Sequence, residues 1–136
     1  MNILIHWSSK LELGFKDIDQ HHKKLVDLIN LAYDSYMVNL PDSTIQEVIS
    51  ELIDYAFVHF KFEERYFARF GYEHTGDHIK EHSFFISKID QLQKDWNNGS
   101  KENKQEVVDF LKKWLEYHIL NSDKKYVDCF AKNGML

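Results

Sequence analysis

Four stretches of this chain repeat apolar residues at helical spacings of 3 and 4, and each stripe also carries a histidine. The stripes read Ile18, His22, Leu25, Ile29, Ala32, Tyr36; then Ile45, Ile49, Leu52, Ala56, His59, Glu63, Tyr66; then His78, His82, Phe85, Ile89, Leu92, Trp96; then Val107, Leu111, Trp114, His118. Such spacing lines up each set along one face of an α-helix, the face that turns toward a core. Alternating β-branched runs are short and scarce. Between the stripes lie turn and capping residues: Asn39-Leu40-Pro41-Asp42-Ser43, Phe70-Gly71-Tyr72 through Thr75-Gly76-Asp77, and Asn97-Asn98-Gly99-Ser100. The pattern predicts an all-α fold, an antiparallel up-down-up-down four-helix bundle, with helices over about 17–38, 42–70, 76–97 and 101–120. Residues 1–16 read as an irregular N-terminal arm, with Ile3, Ile5, Trp7, Leu11 and Leu13 able to pack across the bundle. The tail 121–136 is predicted to carry a short C-terminal helix. No internal repeat divides residues 1–136, which read as one domain.

Composition excludes several functions. A net charge of -5, with no dense Lys/Arg cluster, argues against nucleic acid as a partner. No apolar run approaches the roughly 20 residues needed to span a bilayer, so no membrane association is expected. The start MNILIHWSSK lacks the basic and long apolar regions of a signal peptide. The single cysteine, Cys129, forms no intrachain disulfide and suits a reducing compartment, so a cytoplasmic location is expected. The unusual count is eight histidines.

Five of those histidines fall on core-facing positions, as does Glu63. Burying an imidazole or a carboxylate is costly unless it is paired or coordinated. Any one of them alone reads as a hydrogen-bonded core or boundary residue. Requiring that reading on all four helices at once weakens it, and a Glu/His-lined bundle core is a standard route to a two-metal site. At i and i+4, His59/Glu63 and His78/His82 each aim two ligands at one point. His118 closes the fourth stripe. Asp123 follows five residues later, about 140° around an ideal helix, so it joins the site only if the helix ends or bulges. Asn121-Ser122-Asp123 offers the cap and turn residues for such a break. Five histidines and two carboxylates exceed a single tetrahedral zinc site. The set suits two irons with bridging carboxylates, whose four ferrous charges would be largely balanced by Glu63, Asp123 and a bridging hydroxide.

Taken together, the chain strongly resembles the hemerythrin family, in particular its bacterial single-domain members. The likeness covers nearly the whole chain. It runs from the Trp7 arm through Gly14-Phe15, Ile18-Asp19, His22-Lys23-Lys24-Leu25 and Asn30. It continues with His59-Phe60-x-x-Glu63-Glu64, Gly71-Tyr72, His78-x-x-x-His82-x-x-Phe85 and Trp114-Leu115-x-x-His118-Ile119-x-x-x-Asp123-x-x-Tyr126. A lone HxxxE or HxxxH is a weak signal; their order and spacing together are specific. The resemblance implies a non-haem di-iron centre with a bridging oxo or hydroxo group. It assigns His78, His82 and His118 to one iron, His22 and His59 to the other, and Glu63 and Asp123 to both. Dioxygen then binds reversibly at the two-histidine iron, which keeps an open position. Phe60, Phe85, Trp114, Leu115 and Ile119 are expected to form an apolar pocket that excludes water and offers no proton donor.

Neighbouring residues need separating. His21 and His22 are adjacent; the stripe and the family spacing both select His22, and His21 stands where the family usually has glutamine. His74 continues the ladder of His78 and His82, but Gly76 disfavours helix there, so His74 reads as a surface loop residue. His6 reads as structural or exposed. Glu64 points about 100° from Glu63 and reads as solvated or paired with a residue such as Lys61. The expected role is an oxygen carrier, store or delivery protein for oxygen-using enzymes, with no enzymatic activity of its own. The alternatives are an oxygen or redox sensor acting through a signalling partner, and a di-iron oxidase or peroxidase. The latter usually places Glu on two helices and Glu-x-x-His on two others, a pattern this chain lacks.

Overall fold

A computed structural model describes residues 2–99 and 104–136. Four long helical segments pack as the stripes predict. α1 spans Lys16–Met37, α2 Asp42–Phe70, α3 Thr75–Asn97 and α4 Lys104–Trp114. The expected start of the fourth helix at 101, and Ser100 in the break before it, lie outside the described residues. α4 runs directly into a π-helical segment, Leu115–Ser122, then a 3₁₀ turn, Asp123–Tyr126, and a short helix α5, Val127–Lys132. α1 packs against both α2 and α4, and α2 against α3. Side chains such as Phe85 and Trp114, with ring centroids 4.7 Å apart, join α3 to α4.

The helix ends follow local chemistry. Asn39 adopts a left-handed φ of 49° after α1, a conformation asparagine tolerates better than most residues. α2 starts behind Pro41 without a side-chain cap, so the expected Asp/Ser capping is not what begins it. Gly71 ends α2 at φ 63°, and Tyr72 N–H closes back on the Phe67 carbonyl at 3.0 Å. That six-residue closure needs a residue tolerant of positive φ, hence glycine. α3 begins one residue earlier than predicted, at Thr75, and tolerates Gly76 within its first turn.

The arm is held by polar side chains of α1. Asn30 Oδ1 accepts the N–H groups of Leu4 and Ile5 at 3.0 and 2.9 Å, and its amide donates to the Ile5 carbonyl at 2.8 Å. Asp34 accepts the Asn2 N–H at 2.8 Å. These bonds set a register in which Leu4, Ile5 and Trp7 pack on the core and Leu11 is buried in it. Leu13 is buried in a separate block. Ile3, expected to pack inward, instead faces solvent. A backbone clamped on both sides of it leaves its side chain no route to the helices.

The core comes in two blocks. One fills the length of the bundle and contains Leu25, Ile29, Leu52, Tyr55, Phe60, Phe85, Trp114, Leu115 and Ile119. The smaller one gathers Leu13, Phe15, Ile18, Phe67, Tyr72, Tyr126 and Phe130 at one end, closed by α5. Along α1 the division falls between Ile18 and Leu25, and along α2 between Phe60 and Phe67. The fully buried residues in that gap, His22 on α1 and Glu63 on α2, are polar.

Candidate metal centre

The gap is filled by His22, His59, Glu63, His78, His82, His118 and Asp123. All are at most 2% exposed. They form two overlapping groups: Glu63, His78, His82 and His118; and His22, His59, Glu63 and Asp123. Within each group the ligand-capable atoms lie within 4.8 Å of one another. Asp123 belongs to both neighbourhoods, with Oδ2 3.0 Å from His22 Nε2 and Oδ1 2.9 Å from His78 Nε2 and 3.0 Å from His118 Nε2. Glu63 Oε1 lies 3.3 Å from His59 Nε2 and 3.0 Å from His82 Nε2.

These atoms fit metal ions better than they fit one another. The Nε2 atoms of all five histidines and all four carboxylate oxygens are buried without a hydrogen-bond partner among the described residues. Leaving so many polar atoms unsatisfied in a core is untenable on its own. Separations near 3 Å are what adjacent ligands show around an octahedral ion with bonds of about 2.1 Å.

The fourth helix solves the Asp123 problem by changing its winding. Within Leu115–Ser122 the backbone is π-helical, and the Asp123 N–H bonds to the His118 carbonyl, an i to i+5 closure. That closure stacks residue i+5 on residue i, so both side chains reach the same point. The bulge predicted near Asn121–Asp123 therefore begins earlier and encloses His118 itself.

Burial alone would keep the carboxylates protonated, but the histidines prevent it. The charge of His118 first, with the close His22 and His78 rings beside it, holds Asp123 well below the ordinary carboxylate range. Burial opposes a proton on His118, yet Asp123 and then Glu81 lift it to about 10. His59 behaves oppositely: burial outweighs Glu63 and pushes it down to about 3, leaving a neutral ring with a free lone pair. Protons held on the His118 side must leave when a cation enters, so uptake is coupled to proton release.

The outer nitrogens reveal residues that the helical stripes did not flag. His82 Nδ1 meets Glu64 Oε2 at 2.8 Å, so Glu64 is neither free nor paired with Lys61. Lys61 instead sits over the Phe57 ring, 4.5 Å from its centroid. His118 Nδ1 meets Glu81 Oε1 at 3.0 Å, and Ser122 Oγ donates to the same carboxylate at 2.7 Å. The available signal was position: Glu64 and Glu81 each sit beside a member of the buried cluster in sequence, Glu63 and His82. Such partners fix the tautomer and raise the basicity of a metal-bound histidine. His21 Nδ1 lies 2.8 Å from His59 Nδ1. His74 and His6 are exposed, as expected for residues outside the centre.

Phe60 stacks on His82 at 3.9 Å, Trp114 stacks on His118 at 4.0 Å, and Phe85 packs between Phe60 and Trp114. Leu115 and Ile119 are buried in the same block. Phe85 and Trp114 thus crowd the three-histidine group, while Tyr55 stacks on His59 of the other at 5.2 Å. The wall is not free of donors, contrary to expectation. The Tyr55 hydroxyl and Trp114 Nε1 are buried without a hydrogen-bond partner among the described residues.

A helical bundle whose core holds two overlapping groups of His and carboxylate side chains, with Glu63 common to both, fits the class of two-metal bundle proteins. Within that class the relatives are specific. Residues 13–130 match the family model described as "Hemerythrin HHE cation binding domain", and the chain belongs to the hemerythrin family. It is 35% identical over 127 residues to a bacteriohemerythrin of Clostridium acetobutylicum, covering 90% of this chain and 98% of that one. It is 36% identical over 122 residues to a bacteriohemerythrin of Pseudomonas paraeruginosa, covering 90% and 78%. A wild-type hemerythrin crystal structure superposes with a TM-score of 0.83 at 31% identity, covering 93% and 97%.

Proposed function

We propose that the chain binds dioxygen reversibly at a non-haem di-iron centre and serves as an oxygen carrier, store or delivery protein. The observation that carries this reading is the sevenfold set of buried ligands with unsatisfied inward-facing atoms, in a member of the hemerythrin family. His78, His82 and His118 would hold one iron, His22 and His59 the other, and Glu63 and Asp123 would bridge. Two irons held by these residues would supply the two electrons that dioxygen binding needs. The protein supplies retention, orientation and dryness. The π-helical turn brings His118 and Asp123 to one point, Glu64 and Glu81 lock the rings of His82 and His118, and the aromatic block excludes bulk water. No helix of the described residues is long and apolar enough to cross a membrane, and the lone Cys129 fits a cytoplasmic role.

A second reading, a di-iron oxidase or peroxidase, is favoured by the buried Tyr55 hydroxyl beside His59, a proton source that a pure carrier does not need. One experiment separates them. The reduced, iron-loaded chain is exposed to oxygen and followed by visible spectroscopy and a peroxide assay. Reversible binding gives a coloured species that bleaches when oxygen is withdrawn. One-way conversion with released peroxide refutes the carrier reading in favour of the enzyme.

A further inference from the structure

The outer partners of the histidines are not alike on the two sides of the centre. On the three-histidine side, His82 and His118 turn Nδ1 to carboxylates, Glu64 at 2.8 Å and Glu81 at 3.0 Å. On the two-histidine side, His22 Nδ1 has no hydrogen-bond partner among the described residues. His59 Nδ1 meets another imidazole, His21 Nδ1, at 2.8 Å. Two facing ring nitrogens make a hydrogen bond only if one carries the proton and the other a lone pair. His59 turns Nε2 inward, 3.3 Å from Glu63, where a metal needs the lone pair. Its ring proton therefore belongs on Nδ1, and His59 donates. His21 accepts as a neutral ring whose own proton sits on Nε2.

We propose that His21 is a positioning residue for the two-histidine iron, fixing the tautomer and ring plane of His59 through a neutral acceptor where the other side uses carboxylates. This rests on the reading that the cluster holds two irons. The geometry around His21 is built for the task. Its ring stands edge-on to Phe62, with centroids 5.2 Å apart and planes at 88°, and nearly perpendicular to His59, at 5.0 Å and 82°. It is half-buried in the wall of an open groove of about 310 Å³ that also touches Tyr55 and His59, so water can reach its remaining N–H. Phe62 and α1 thus clamp a ring that in turn clamps His59.

The asymmetry has a chemical consequence. A carboxylate acceptor draws the Nδ1 proton toward itself and makes the metal-bound ring a stronger electron donor, which favours the ferric state. A neutral imidazole does so less. The two-histidine iron proposed to bind dioxygen would then be the one whose histidine donates less charge.

The test compares the wild type with His21→Ala, His21→Gln and His21→Glu. Iron per chain is measured under competition with a chelator, and the midpoint potential by spectroelectrochemistry. Two irons in the wild type are expected. His21→Ala should weaken one of the two by about 10–100-fold, the usual cost of losing an outer partner. His21→Gln, whose amide oxygen also accepts, should restore tight binding, and His21→Glu should lower the potential. His21→Ala binding both irons as tightly as the wild type, or His21→Gln failing as badly as His21→Ala, would overturn the assignment. So would a potential unmoved in His21→Glu. A wild-type chain that takes up no iron would overturn the di-iron reading itself, and this inference with it. If His21→Ala unfolds, the Gln and Glu variants carry the same comparison.

Discussion

Replacing Phe130 by alanine tests whether the C-terminal helix is the floor of the centre or a mere appendage. Phe130 is fully buried and touches five aromatic rings: Tyr126 at 4.3 Å, Phe70 at 5.5 Å, Phe67 at 5.7 Å, Phe15 at 6.0 Å and Tyr66 at 6.2 Å. Rigid rings anchored on three elements cannot collapse into the space left behind, so the upper part of the usual range for Phe→Ala applies, about 4 kcal/mol. Unfolding entropy near 60 °C is roughly 2.1 cal/mol/K per residue, which for a chain of this length gives a fall in Tm of about 14 °C. Differential scanning calorimetry of wild type and variant measures it, with Phe84→Ala as the exposed-aromatic control, expected to shift stability by less than about 0.5 kcal/mol. Because Tyr126 leans on both Phe130 and His78, at 5.7 Å from the latter, the variant should also lose iron to a chelator faster. A fall in Tm no larger than that of the control would refute the view that α5 seals the smaller apolar block.

Two further predictions concern the outer polar groups. Glu64→Ala strips His82 of its acceptor and should weaken iron retention by about 10–100-fold, read by chelator competition, while Lys61→Ala should change it little. Asp34 is held below the ordinary carboxylate range by the Asn2 backbone N–H and then its side chain. A depressed folded value means that its stabilisation is complete above the unfolded value of about 3.9 and is lost as pH falls through the lower folded one. The stability gap between wild type and Asp34→Ala should therefore be flat from pH 7 to about 5 and narrow below pH 4 in denaturant titrations.

The sequence made much of this legible because burial and periodicity carry the same message. The stripes gave the four helices, and the polar interruptions within them gave five histidines and Glu63. What stayed hidden depended on neighbouring helices. Glu64 lies off the α2 stripe, and only the position of α3 reveals that it reaches His82. Glu81 is hidden in the same way by the π-helical segment that follows α4, where it meets His118 and Ser122. His21 looked redundant beside His22 because the HH pair contains no record of what stands across from it on α2. Ile3 was misplaced because hydrophobicity proposed a contact, whereas the Asn30 and Asp34 hydrogen bonds chose the register. Asp123 lay between these cases: its five-residue offset from His118 announced a break in the helix but not where the winding would change.

That change of winding has a consequence for how this chain tolerates altered length. A π-helical stretch behaves like an α-helix into which one residue has been inserted, and each residue counts for about 100° of rotation. Everything after Ser122 is read out with that extra phase. The insertion points Asp123 into the buried His and carboxylate cluster, and it also delivers Tyr126 and Phe130 to the end of the bundle where they are fully buried. Deleting one residue from this stretch would not shorten a loop; it would rotate a ligand and a floor out of place together. The segment Leu115–Ser122 is thus a single mechanical gear, in which the spacing of the centre and the docking of the C-terminus have one common setting.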